Sequence, residues 1–160
     1  MTRSADRVLV LGIGNTLLSD EGAGVHAVRR LQTVASEHPG IDYLDGGTLS
    51  FTLAGPIEES EAVLIIDAAE LGAEAGAVQV FEGGAMDDFL GAERKRSVHE
   101  VGLRDLMAVA ALAGRLPERR ALIGIQPLEL GWGDAPSARV DEGISRACAH
   151  ALEIIARWRT

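Results

Sequence analysis

One cysteine, few aromatic residues (4%), a shortage of basic charge and no long apolar run mark this 160-residue chain. The lone Cys148 excludes an internal disulfide and any metal cage built from cysteine alone, which suits a reducing compartment. Fifteen Lys and Arg against 24 Asp and Glu leave a net charge of −9, the wrong sign for nucleic acid, whose phosphates demand a basic surface. The basic run Arg94-Lys95-Arg96 is expected to be a solvated loop. The first residues are polar and charged, and the apolar run that follows breaks at Gly12, so we expect neither a signal peptide nor a membrane span. A cytoplasmic protein with no membrane partner is the expectation. No Gly-x-Ser-x-Gly elbow, internal repeat, linker or low-complexity segment appears.

Nearly half of the chain (47%) is hydrophobic, and the length suits one domain spanning 1–160 with one well-filled core. Short apolar or β-branched runs closed by Gly, Asp or Pro predict five strands, at Val8 to Leu11, Tyr43 to Leu44, Ala62 to Ile66, Val78 to Phe81 and Ala121 to Ile125. Amphipathic spacing predicts helices from about Asp20 to Ala35, from Leu49 to Ala54 with a stop before Pro56, from Ser97 to Ala113, and from Ser137 to Arg157. Alternating strands and helices predict an α/β fold, a three-layer αβα arrangement around a mostly parallel five-stranded sheet with helices on both faces. The ten residues between Asp67 and Val78 include Gly72 and Gly76 and are too few for a helical crossover, so the fourth strand is expected to run antiparallel at an edge.

In such a sheet the ligand crevice lies beyond the carboxyl ends of the parallel strands. Glu21 after strand one, Asp67 at the end of strand three and His99 at the start of the third helix all map there. Two carboxylates and one imidazole from three loops suit a divalent transition metal. Ser97 and Glu100 read as a capping box that puts His99 in the first turn of its helix, where the positive end of the dipole favours neutral imidazole. A polar helix-start residue is the plain alternative for His99. A carboxylate favoured by the helix dipole is the plain alternative for Glu21, with Asp20 or Ser19 as the cap. Asp67 directly follows the apolar Val63 to Ile66, where an unpaired carboxylate is costly, so a site is favoured over an ordinary surface acid.

Gly12-x-Gly14 between a strand and a helix suggests a dinucleotide turn, yet Leu17 replaces the third glycine. With Asp45 as a ribose contact, this keeps a nucleotide-binding α/β protein without protease activity as the alternative. Gly46 and Gly47 otherwise make a tight strand-to-helix turn. Cys148 falls on the core stripe of the last helix as a structural thiol. His26 is turned away from Glu21, and His38 and His150 are expected at the surface. Trp132, in the glycine-rich Leu130-Gly-Trp-Gly133 loop, either contacts a partner or covers the core.

Taken in order and spacing, Gly12-Ile-Gly-Asn15, Leu17-Leu-Ser-Asp20-Glu21, Asp45-Gly-Gly-Thr48, an apolar strand ending in Asp67-Ala68, Ser97-Val-His99 and Gly102-Leu103 resemble the maturation endopeptidases of nickel-iron hydrogenases, from about Val8 to the last helix. The resemblance implies an aspartic-type or metal-dependent endopeptidase that trims a C-terminal extension from the precursor of the hydrogenase large subunit once nickel is inserted. Carried across by position, Glu21, Asp67 and His99 become the catalytic and metal-contacting residues, and Asn15, Asp45, Gly46, Gly47 and Thr48 bind substrate. Nickel then arrives with the substrate as a checkpoint, and the three protein ligands leave coordination positions for groups from the precursor. Zinc or another divalent metal could occupy the isolated protein, which is expected to be a monomer. Whether a metal polarises the scissile carbonyl or Asp67 and Glu21 activate water is open at this point.

Overall fold

The computed structural model describes residues 7–34, 39–92 and 102–160. Five strands, β1 (Val8–Ile13), β2 (Ile41–Gly47), β3 (Ala62–Ala68), β4 (Val78–Glu82) and β5 (Arg119–Ile125), form one sheet in the order β2-β1-β3-β5-β4. All neighbours pair in parallel except β4, which lies antiparallel to β5 at the edge. The short glycine-containing link from Asp67 to Val78 thus has the consequence its length dictates.

Alternation along the strands splits the core in two. Val8, Val10, Leu64, Ile66, Ile123 and Ile125 point to one face, covered by α1 (Ala23–Val34) and α5 (Ala138–Trp158). Leu9, Leu11, Ile13, Val63, Ile65 and Leu122 point to the other, covered by α2 (Ala54–Glu58), α3 (Gly84–Ala92) and α4 (Leu103–Leu112). Because both faces are covered, β1 and the first five residues of β3 are buried throughout, which is why they read as continuous apolar runs. Cys148 is buried on α5, and its thiol donates to the Ala27 carbonyl at 3.4 Å.

Two expectations about helices need correction, and one helix was not foreseen. The short helix does not stop before Pro56: a 3-10 turn, Phe51–Leu53, leads into α2, which carries Pro56 in its first turn, where the missing N–H has no intrahelical partner to lose. Residues Gly84–Ala92, where no element was expected, form α3, held by a paired contact from Arg120 on β5 to Asp87 (2.6 and 3.0 Å) and by burial of Met86 and Leu90. The third helix begins at Leu103, not Ser97. Gly102 is extended (φ −86°, ψ 158°), and its N–H donates to the Asp105 carboxylate at 2.9 Å, so Asp105 supplies the cap assigned to Glu100. Ser97, His99 and Glu100 lie outside the described residues, as do His38 and Arg94-Lys95-Arg96.

Candidate active site at the carboxyl rim of the sheet

Glycines draw the first loop onto the strand ends. A Cβ on Gly24, in the first turn of α1, would fall inside the contact radius of the Ile66 carbonyl oxygen and 2.5 Å from that of Ile13. Only glycine lets the start of α1 rest on the carboxyl ends of β1 and β3 together. Gly12 leaves room for the Gly24 carbonyl in the same way, and Gly14, at φ 140°, makes room for the backbone of Glu21. The 3-10 turn Ser19–Gly22 is thereby pressed against the end of β3, with half-buried Glu21 beside the strand that ends in half-buried Asp67. By strand alternation Asp67 continues the Val63 and Ile65 series toward the face that carries α2 and α4.

The neighbour of Glu21 has a different task. Asp20 is fully buried, and its carboxylate accepts from the N–H groups of Leu128 (2.9 Å), Glu129 (2.8 Å) and Ser137 (2.6 Å) and from the Ser137 hydroxyl (2.8 Å). Burial alone would raise its pKa. The donors of Glu129, Ser137 and Leu128 outweigh that and hold the carboxyl below its ordinary value. Asp20 therefore does not cap its own helix, but fastens the loop after β5 and the start of α5 to the first loop. Ser19 adds a hydroxyl bond to the Gly131 carbonyl (2.8 Å) and sits at φ 52°, a left-handed conformation that the surrounding bonds impose.

Asn15, Asp45, Gly47 and Thr48 line a cleft of about 270 Å³, together with Gly14, Thr16, Leu17, Val25 and Arg29. The register between β1 and β2 slips there: Gly12 pairs with Asp45 and Ile13 with Gly47. Gly46 is the skipped residue. It is absent from the cleft wall, because it packs inward, where a Cβ would meet Leu11 at 2.7 Å. The Asp45 carboxylate folds back on the Gly47 N–H (3.0 Å) and pairs with Arg29 (3.1 Å). Arg29 was missed from sequence; its only signal was a place one turn beyond Val25, on the α1 side that meets β2. Asn15 Oδ1 accepts from the Leu17 N–H at 2.9 Å and shapes the turn.

His99 lies outside the described residues, and among the described residues no group of three or more His, Cys, Asp or Glu could hold a metal. Glu21, in the 3-10 turn after β1, and Asp67, near the end of β3, are the two carboxylates of the expected set among the described residues, and carboxylate oxygens are donors that suit a divalent ion. His26 faces Arg29, Arg30, Asp45 and Asp141. Burial first, then the two arginines, push its pKa down, and its buried Nε2 has no hydrogen-bond partner among the described residues. His150 is at the surface, 4.0 Å from Glu153. Trp132 does not cover the core: it is 86% exposed.

The sequence pattern of the hydrogenase maturation protease family matches residues 25–158. The chain belongs to that family. Its relatives include the hydrogenase expression/formation protein HupD of Rhizobium leguminosarum bv. viciae, 37% identical over 96% of this chain and 76% of that protein. The hydrogenase 2 maturation protease of Escherichia coli is 31% identical over 78% of this chain and 75% of its own length. Among solved structures, the hydrogenase maturating endopeptidase HybD from Escherichia coli superimposes with a TM-score of 0.86 at 28% identity, covering 94% of this chain and 93% of that one. HybD from Thermococcus kodakarensis gives 0.76 at 34% identity, over 93% of this chain and 99% of that one. In this family member the glycines that suggested a dinucleotide turn serve close packing of α1 on the strand ends, and Asp45 is engaged by Arg29 and Gly47.

Proposed function

We propose that this hydrogenase maturation protease is an endopeptidase that acts in the cytoplasm, as a monomer, on the precursor of the nickel-iron hydrogenase large subunit. It removes the C-terminal extension once nickel has been inserted. The observation that carries the reading is the seating of Gly24 on Ile66 and Ile13, which sets the Glu21 turn against the Asp67 end of β3. Glu21, Asp67 and His99 form the proposed site, and Asn15, Asp45, Gly47 and Thr48 the proposed substrate cleft, with Gly46 supporting it from beneath.

The helix α4 precedes β5, which is parallel to β3, so Gly102 opens α4 at the carboxyl rim. His99 stands three residues before it, a tether of about 10 Å at full extension. Nickel comes with the substrate. Two carboxylates and one imidazole would complete its coordination only when the loaded precursor supplies the other ligands, and in the isolated protein the same set would take zinc or another divalent ion weakly. Peptide hydrolysis needs a base to take a proton from the attacking water and an acid to protonate the leaving amide nitrogen. A pair of carboxyl groups, one ionised and one protonated, can do both. Glu21→Gln and Asp67→Asn are expected to melt like the parent and to lose processing of the loaded precursor by at least about a hundredfold. Unimpaired processing in both folded variants would remove the pair from the chemistry. A saturable shift on adding a dinucleotide, with no processing, would favour the nucleotide-binding alternative.

A further inference from the structure

Trp132 stands in a loop fixed at both ends. The Gly133 N–H donates to the Leu17 carbonyl (3.0 Å), the Ser19 N–H donates to the Gly133 carbonyl (2.8 Å), and the Asp20 N–H donates to the Glu129 carbonyl (2.9 Å). With the four bonds to the Asp20 carboxylate, residues 17–20 and 128–133 behave as one ridge. It displays Leu17 (59% exposed), Leu128 (62%), Leu130 (46%) and Trp132 (86%). Such an apolar set is costly to leave in water, and a pre-ordered tryptophan loses little entropy on binding. Glu21 follows the buried Asp20 directly, so the segment that carries Leu17 also carries one of the proposed catalytic acids.

Charge identifies what fits it. The rim loops 14–22, 68–77 and 126–137 present the half-buried Glu21 and the exposed Glu70, Glu74, Glu129 and Asp134, and no lysine or arginine, while Asp20 is buried and its charge is taken up by its four donors. A second copy would set these acids against themselves, whereas a basic partner would be drawn in.

We propose that the Leu17, Leu128, Leu130 and Trp132 ridge is the docking surface for the large-subunit precursor, and that it receives a precursor segment bearing apolar side chains among lysines and arginines. This rests on the protease reading given above. Substrate seated on the ridge is delivered to Glu21 and Asp67 from the side of the β5 loop.

Steady-state processing of the purified nickel-loaded precursor, alongside direct binding of the same precursor and thermal melts, tests the assignment. Trp132→Ala and Leu128→Ser should melt like the parent, raise KM by roughly thirtyfold for the tryptophan and several-fold for the leucine, and leave kcat unchanged. Added salt should raise the parent's KM, and a Glu129→Gln/Asp134→Asn variant should show less of that dependence. Parent-like KM in both ridge variants overturns the proposal, as does a fall in kcat alone. A dimeric parent that becomes monomeric on Trp132→Ala, with processing unchanged, also overturns it by making the ridge a self-interface. Trp132-dependent binding without cleavage would retain the docking surface and refute the protease reading. Absence of both binding and cleavage in the parent would refute both.

Discussion

Asp20 uses its two carboxylate oxygens on four donors in a site with no exposure to water, and that makes it the most heavily committed acid described in the molecule. Its replacement by Ala would leave the N–H groups of Leu128, Glu129 and Ser137 without their acceptor, at a cost of roughly 3 kcal/mol. Urea denaturation is the check, and Asp20→Asn should cost less because one acceptor oxygen remains. The pH dependence has a definite sign. A carboxyl with a lowered folded-state pKa contributes stability that is complete above its ordinary value, near 4, and is lost as pH falls through the lowered one. The amide protection factors of residues 128–137, corrected for the intrinsic pH dependence of exchange, should therefore fall on acidification through and below that region, and the fall should be absent in Asp20→Asn. Gly24 is the second decisive residue. Gly24→Ala places a methyl group against two carbonyl oxygens and should destabilise by about 3 kcal/mol or more, with loss of processing in whatever folds. Gly55→Ala, where a Cβ meets nothing, is the control and should be near neutral. Asp20 and Glu21 look alike in sequence, as two acids at a helix start, and only the distant loop that Asp20 holds tells them apart.

At the scale of elements, β1, β3 and β5 were legible because burial on both faces leaves uninterrupted apolar runs, and β4 because ten residues cannot make a crossover. The α1 and α5 stripes were legible through their 3.6-residue period. The α3 helix was not. Its attachments, the Arg120 to Asp87 pair across 33 residues, the stacking of Phe89 on Phe81 and the burial of Met86 and Leu90, are made to other elements, and its two glycines lower helix propensity. The side-chain bond from Arg120 holds the Asp87 carboxyl below its ordinary value, against partial burial. Asp87 is largely exposed, so Asp87→Ala should cost no more than about 1 kcal/mol overall, while exchange in Gly84–Ala92 accelerates more than elsewhere. The start of α4 was placed too early because Ser97 and Glu100 match the capping-box pattern better than Gly102 and Asp105, glycine having no side chain to mark the cap. Of the site, Glu21 and Asp67 were placed at one rim by the order of elements alone, and Asn15, Asp45, Gly47 and Thr48 do share a cleft. Arg29 and the inward role of Gly46 depend on a slip in register that no residue announces.

Across the whole molecule, the parallel strands of one mixed sheet bring the loops after β1, β2, β3 and β5 to a single rim, where the loops after β1, β3 and β5 carry acids without lysine or arginine beside an ordered apolar ridge. The proposed three-ligand set and the proposed docking ridge would suit a folded substrate carrying its own metal better than an extended peptide. Processing should therefore depend on the loading state of the precursor and not on the peptide sequence at the cut alone. The direct measurement is intact-mass spectrometry of matched nickel-loaded and nickel-free precursor, each incubated with the parent protein and with Asp67→Asn. Loss of one C-terminal peptide from the loaded precursor, in the presence of the parent alone, is the expected result. Equal trimming of the nickel-free precursor would contradict the checkpoint, and no trimming of either by a folded parent would contradict the proposed activity.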